Sequence, residues 1–429
     1  MTKKAMMGIL KWGLSLVLVI ALFFVSCDKD DEIIYLDYWT HDDSSRNNLE
    51  EELIAEFENL YPHIRVNRKT FSSSEILNIV PTAFEASKAP DIFTMQQDYL
   101  STLLDRNYVS EIDISSLGYD DYKSLEDEYI ESSFKPVSRN GVIYGIPMEL
   151  TNWCLYINKN LFREVGLDPE TDYPRTWEDM VDICSRMVER ENGILVKRGF
   201  DFRYPYYMTF FIPMVQQLGG DIVNENGDLS LINEDAWVDA FSFMQQWGPQ
   251  GLNLGSPTYI NARSIFNSED IAMMLSGLYQ EERIRCENPD FYESGDFIVV
   301  PFPYFENGMK VPSGRYFHYW CVNDSSTEEE KAASWRFIGF LSSNAMEYLA
   351  KVRLLPPKKE VIENIENLSI PYIDVFISEL MDAPDVYTGP AADKIASTIE
   401  GLMKEVMLSG LDPQKAVIRL KVFLSELNL

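Results

Sequence analysis

Between residues 34 and 95 the apolar pattern alternates strand, helix, strand, helix, strand, and that switching restricts the fold more than any other feature. Ile34, Leu36 and Tyr38 alternate with Tyr35 and Asp37, the period-two signature of a half-buried strand, and Leu49, Leu53, Phe57, Leu60 and Tyr61 then recur at helical spacing. Pro62 stops that helix. Ile64 and Val66 open a second short strand, a helical stretch follows from about Ile76 to Phe84, and residues 91–95 read as a third, apolar strand. Strands joined by helical crossovers predict a mostly parallel sheet, and such sheets bind ligands beyond the carboxyl ends of their strands. The loops that begin at Trp39, Phe71 and Gln96 are therefore the ones expected to carry function.

A second α/β unit is predicted from about Pro147. Leu155 to Ile157 reads as a strand, and Thr176-Trp177-Glu178-Asp179 has the form of a capping box with Asp in its last place. Trp177, Met180, Cys184, Met187 and Val188 supply the buried stripe of the helix it opens. Trp237, Phe241, Met244 and Trp247 form a further stripe before Gly248-Pro249, residues 271–275 and 297–300 read as buried strands, and Ala333, Phe337, Phe340 and Leu341 mark another amphipathic helix. The chain has 429 residues, more than one hydrophobic core usually organises. The expected fold is α/β with two lobes, each a mostly parallel sheet flanked by helices.

The N-terminus predicts export. Lys3, Lys4 and Lys11 precede residues 12–25, which hold no charge and only one polar side chain, Ser15. That run is short for a bilayer span, which needs about 20 apolar residues, and has the form of a secretory signal. It ends in Phe24-Val25-Ser26-Cys27, which resembles a lipobox with Phe in place of the usual Leu, so residues 1–26 are expected to be removed and Cys27 lipidated. Residues 27–32 then form an acidic tether, Asp28-Lys29-Asp30-Asp31-Glu32 after the cysteine. Without residues 1–26 the formal charge falls from −31 to −34. Such a surface repels nucleic acid and anionic lipid, so the membrane is expected to be a partner only through the lipid. Cys154, Cys184, Cys286 and Cys321 sit in apolar surroundings without metal-ligand spacing and read as buried thiols, with a disulfide left open.

Several segments carry a family resemblance. Tyr144-Gly145-Ile146-Pro147, Leu155-Tyr156-Ile157-Asn158-Lys159-Asn160-Leu161-Phe162, Gly166-Leu167 and Pro174-Arg175-Thr176-Trp177-Glu178-Asp179-Met180 resemble the central signature of extracellular solute-binding proteins of the maltose-binding type. Ala89-Pro90-Asp91-Ile92-Phe93, Gly219-Gly220, residues 272–277 and Leu355-Pro356-Pro357-Lys358-Lys359 support it. The family's stacking Trp after the glycine at 277 is replaced by Leu278-Tyr279, and its late Gly-Gly-Trp by Gly314-Arg315-Tyr316. The resemblance implies two lobes that close on a solute, and an ATP-binding-cassette importer whose transmembrane subunits recognise the closed form. From it and from proline punctuation the chain is expected to cross between lobes near Pro147, Pro303 and Pro356. That gives an N-terminal lobe of 33–147 with about 303–355 and a C-terminal lobe of 148–302 with about 356–429. A monomer is expected, with no cofactor and no metal.

A pyranose offers apolar C–H faces to aromatic rings and hydroxyl edges to Asp, Glu, Asn, Gln and Arg. The candidates are side chains of those types in the strand-end loops. Trp39, His41, Asp42 and Asp43 follow the first strand, where Asp42 and Asp43 could equally cap the next helix. Ser73 follows the second strand, and Gln96 and Gln97 the third. Glu149, Thr151 and Asn152 lie between the Gly-Ile-Pro signature and the next strand. Tyr206 and Tyr279 are expected to stack on the solute by family position, and Arg315, Tyr316 and His318 form the last cluster. Arg315 faces two readings, a ligand acid or one of the chain's own carboxylates, the second being favoured. Enzyme chemistry has little to draw on. His41, His63 and His318 are the only histidines, and phosphate-loop, dinucleotide and nucleophile-elbow motifs are absent. The alternatives to sugar binding are a non-sugar solute such as a peptide, polyamine or phosphorylated polyol, and a glycosidase built on paired carboxylates.

Overall fold

A computed structural model describes residues 33–202, 207–255, 262–365 and 368–427. The N-terminal signal, Cys27 and Tyr206 lie outside these residues. Among the described residues no helix is long and apolar enough to cross a membrane.

The first three strands are β1 (Ile34–His41), β2 (Ile64–Phe71) and β3 (Ile92–Gln96), joined by helices α1 (Ser44–Leu60) and α2 (Ser73–Glu85). They pair in parallel with β1 in the middle, as the alternation predicts. Strand β4 (Ile146–Thr151) closes the far edge of this sheet, and β5 (Cys154–Asn158) opens a second. Helices α3 (Trp177–Met187) and α4 (Glu234–Trp247) follow, then β6 (Met273–Ser276), α5 (Tyr279–Glu287) and β7 (Phe297–Val300). The chain returns to the first sheet as β8 (Tyr316–Val322), followed by α6 (Glu328–Ser343), and ends with α7 (Ile373–Asp382), α8 (Ala392–Lys404) and α9 (Pro413–Glu426).

The first sheet has the order β2-β1-β3-β8-β4, and the second β6-β5-β7. The expectation of mostly parallel sheets needs correction. Strand β8 runs antiparallel to both β3 and β4, and β5 is antiparallel to both of its neighbours. The strands of the second sheet read as short continuous apolar runs, and such runs record burial on both faces without recording strand direction. That burial is observed: Cys154 and Tyr156 join one core with Met274, Phe297 and Val299, while Leu155 and Ile157 join the other with Trp177, Met273 and Ile298.

The chain passes from the first sheet to the second between Thr151 and Cys154, and back between Val300 and Tyr316. Pro147 lies inside β4, opposite Tyr319. Later, the Leu355 and Pro357 carbonyls accept from Leu150 and Ile130 beside the first sheet, whereas the Tyr372 hydroxyl donates to the Phe297 carbonyl of the second.

Helix starts follow the local chemistry. Asp43 caps α1 by accepting from the Arg46 N–H, Ser72 and Glu75 form a reciprocal capping box on α2, and Thr176 and Asp179 form the expected one on α3. All four described cysteines are free; Cys154, Cys184 and Cys321 are buried as predicted, but Cys286 is half-exposed. Burial pushes the thiols of the first three up, so they are protonated at neutral pH.

Gly339 permits a close helix approach beside the first sheet. A Cβ there would lie 2.6 Å from the Leu117 carbonyl oxygen in the short helix Ile114–Leu117. Because neither backbone can yield without disturbing the packing between them, Gly339→Ala is expected to cost about 1–3 kcal/mol. Calorimetric melting checks this; an unchanged midpoint would mean the helices can slide apart freely.

Candidate functional site

Two cavities open beside the first sheet, each lined on one side by that sheet and on the other by segments outside it. The narrow one, about 40 Å³, brings together His41 at the end of β1, Asp43 at the start of α1, Ser73 in α2, Glu149 in β4, Tyr279 in α5, and Tyr316 and His318 in β8. Seven candidates from five separate segments thus meet in one place. They share it with Arg46, Arg263, Arg283 and Leu354. The wide cavity, about 550 Å³, lies on the other side of β8. Gln97 and Phe317 line it, as do Lys135 and Arg139 from one side, Gln216 and Asp221 from the other, and Asp385 and Tyr387.

At the narrow cavity the polar groups hold one another. Asp43 accepts from Ser45 Oγ at 2.7 Å and from the Arg46 N–H at 3.1 Å, and its second oxygen accepts from Arg283 Nε in a buried ion pair. Asp43 thus both caps a helix and lines the cavity; the two readings of the sequence are not exclusive. Burial raises its pKa, but Arg283 and the cap hydrogen bonds outweigh that and hold it below the usual range. Glu149 Oε2 lies 3.1 Å from His318 Nδ1, while Oε1 is buried without a hydrogen-bond partner. The His41 ring stands edge-on to His318 at 4.9 Å. Burial, reinforced by His318, Arg46 and Arg283, drives the His41 pKa well down, so His41 is neutral at pH 7. The Arg283 guanidinium lies 5.4 Å from the centre of the Tyr279 ring. Gly277 makes that ring position possible, since a Cβ there would lie 2.5 Å from the ring and 2.6 Å from Thr151 Oγ1.

The remaining candidates fall outside the narrow cavity. Gln97 is tied by its Oε1 to the Phe317 N–H at 3.1 Å and by its Nε2 to the Val386 carbonyl at 3.4 Å, so it joins β8 to the 384–389 segment. Gln96 is buried at the end of β3, opposite His318. Thr151 and Asn152 are buried at the passage between sheets, where Asn152 Nδ2 donates to the Phe376 carbonyl at 3.2 Å. The Trp39 ring packs on Phe71 at 5.1 Å and lines neither cavity, and Asp42 is exposed, accepting from Asn47 Nδ2 at 2.9 Å. Arg315 Nε donates to Asp385 Oδ1 at 2.6 Å, the second of its two readings.

Sequence reasoning missed Arg46, Arg263, Arg283, Lys135, Arg139 and Tyr387. Arg46 carries the only local signal, its i,i+4 spacing to Glu50, and such pairs usually mark a solvated helix face. Tyr387 sits in Asp385-Val386-Tyr387-Thr388-Gly389, a turn-forming stretch with no apolar period to place it.

The fold has counterparts among known proteins. The Thermotoga lettingae solute-binding protein of an ABC transporter, solved with α-D-tagatose, superposes with a TM-score of 0.78 at 17% identity, covering 92% of this chain and 99% of that one. The maltose/maltodextrin-binding domain from Bdellovibrio bacteriovorus, solved with maltotriose, gives 0.77 at 16% identity with 92% and 99% coverage. In sequence, the chain is 26% identical over 250 residues to the arabinooligosaccharide-binding protein of Halalkalibacterium halodurans, a match that takes in 57% of this chain and 54% of that protein's length. It is 23% identical over 297 residues to the maltodextrin-binding protein of Bacillus subtilis, covering 66% of this chain and 64% of the relative. The model of the family described as bacterial extracellular solute-binding protein matches residues 43–348, most of the chain, and the chain belongs to that family.

Proposed function

We propose that the chain is an extracytoplasmic carbohydrate-binding protein that takes a saccharide between its two sheets and delivers it to an ATP-binding-cassette importer. The observation that carries this reading is the convergence of aromatic and polar side chains on the same crevice, with His41, Glu149 and His318 of the first sheet on one side and Tyr279 of α5 on the other. A wide cavity of about 550 Å³ falls within the range of small-ligand sites, about 300–1,000 Å³. The names of the arabinooligosaccharide- and maltodextrin-binding relatives point to the same ligand class. Closure moves the lobes about three crossings, which we place at residues 151–154, at 301–315 and between about 358 and 372. The protein works as a monomer without a catalytic step, held to the membrane by lipid on Cys27 so that the trap stays near its importer.

A thermal-shift screen over neutral and acidic saccharides, peptides and polyamines tests this. A ligand bound by the folded form alone stabilises by RT ln(1 + [L]/Kd), about 2.7 kcal/mol at 100 Kd. Shifts with peptides or polyamines and none with any saccharide would overturn the carbohydrate reading. Within it, the half-exposed Tyr387 ring is a stacking platform in the wide cavity. Tyr387→Ala is expected to weaken saccharide binding about tenfold with little change in the melting temperature of the free protein. Unchanged affinity by calorimetric titration would remove Tyr387 from the site.

A further inference from the structure

The chain carries 68 acids against 37 bases, yet the narrow cavity reverses that balance. Arg46, Arg263 and Arg283 line it, opposed by Asp43 and Glu149. Behind them, Arg46 shares its partner Glu50 with Arg68, so one carboxylate answers two guanidinium groups. Four guanidinium groups thus face three carboxylates. Asp43 meets Arg283 through Nε, whereas a guanidinium presents five donors in a fork suited to a planar or tetrahedral oxyanion. Glu149 Oε1 has the opposite need: it is a buried acceptor without a donor, which a ligand hydroxyl would supply. The cavity's volume of about 40 Å³ suits a substituent of a few atoms rather than a sugar ring, at about 10–15 Å³ for each water-sized group.

We propose that the narrow cavity receives the acidic substituent of a charged saccharide, a carboxylate or a phosphate, gripped by Arg283 and Arg263 while Glu149 accepts from a neighbouring hydroxyl. The proposal rests on the carbohydrate reading and narrows its ligand class. A neutral sugar satisfies Glu149 but leaves the excess cationic charge unanswered; an acidic one satisfies both.

Calorimetric titration of the purified protein with disaccharides of glucose, galactose and mannose, their uronic-acid counterparts and their 6-phosphates provides the test. At least one acidic probe is expected to bind about tenfold or more tightly than its neutral counterpart, with the preference shrinking as salt is raised. The uronic and phosphate arms distinguish the two acid groups. Arg283→Gln and Arg263→Gln are each expected to reduce the acidic-to-neutral affinity ratio about tenfold. Because Arg283 also pairs with Asp43, melting of each free variant verifies folding, and the half-buried Arg263 gives the second reading if Arg283→Gln unfolds. Neutral disaccharides binding as tightly as acidic ones, or a ratio untouched in a folded variant, would overturn the acidic-ligand assignment and leave the carbohydrate reading intact. Failure of every saccharide, neutral and acidic, would overturn both.

Discussion

Glu50→Gln is expected to remove about 3–5 kcal/mol of stability, the cost of leaving buried cations without their counter-charge. Glu50 is fully buried, yet it is ionised: burial alone would raise its pKa, but Arg46 and Arg68 outweigh burial and hold it low. Its oxygens accept from Arg46 Nε at 2.8 Å, Arg68 Nε at 2.7 Å, the Tyr38 hydroxyl at 3.2 Å and the Tyr348 hydroxyl at 3.1 Å. One carboxylate thereby ties together α1, β1, β2 and the 348–352 segment. Neutralising it isosterically leaves the two guanidinium groups facing each other in a low-dielectric site. Urea unfolding at pH 7 measures the loss, and adding Arg68→Met to the same variant is expected to recover part of it by removing one unpaired cation. A loss under about 1 kcal/mol would mean that water reaches the cluster. The pH dependence has a definite sign. Because the folded pKa is depressed, the contribution of Glu50 is present above the unfolded value of about 4.3 and is lost as pH falls through the folded value.

Much of the architecture was legible because it rests on periodicity. The three opening strands with their two crossover helices, the capping box at Thr176 and the strand at residues 297–300 each follow from local pattern, and each is found. Strand direction in the second sheet was not legible, since β5 is buried on both faces and its apolar run is the same whichever way its neighbours point. The site divides along a similar line. His41, Asp43 and Ser73, chosen by strand-end position, line the narrow cavity, as does Glu149, chosen for its place after the Gly-Ile-Pro segment. Trp39 satisfied the same rule by position, but its ring turns to Phe71, and it shares a strand face with His41 while lying two residues, about 7 Å, short of the strand end. Arg283 reaches the cavity from a helix in the second half of the chain to meet Asp43, 240 positions away, and no local pattern encodes such a meeting.

A second large effect is expected where Asp98 lies buried against α8. Asp98 follows β3 and is 2% exposed. Asp393 of α8 accepts from Ser101 Oγ at 2.9 Å and from the Thr102 hydroxyl, which brings its carboxylate close to Asp98. Burial pushes the Asp98 pKa up to about 7; its own backbone N–H and Gln96 pull it down, and Asp393 adds to the rise. This acid therefore acts with the opposite sign to Glu50. Its folded pKa lies above the unfolded value of about 3.9, so the folded state keeps a proton that the unfolded chain has already released, and stability falls as pH rises between those two values. Over pH 5 to 8 the single group is expected to cost about 2–3 kcal/mol. Buried Asp201, also raised to about 7, weakens the fold in the same window, while Glu50 and Asp43 weaken it below about pH 4. The protein should thus be most stable at mildly acidic pH. Asp98→Asn cannot ionise, so its urea midpoint is expected to fall less between pH 5 and pH 8 and to exceed that of the unmodified protein at pH 8. Parallel pH profiles for the two proteins would show that Asp98 stays ionised in the fold. Asp98 also adjoins Gln97, which bonds the Phe317 N–H and the Val386 carbonyl at the edge of the wide cavity. Ionisation of Asp98 therefore acts on the junction from which the crevice is built, and saccharide affinity is expected to weaken over the same pH range in the unmodified protein and to stay level in Asp98→Asn.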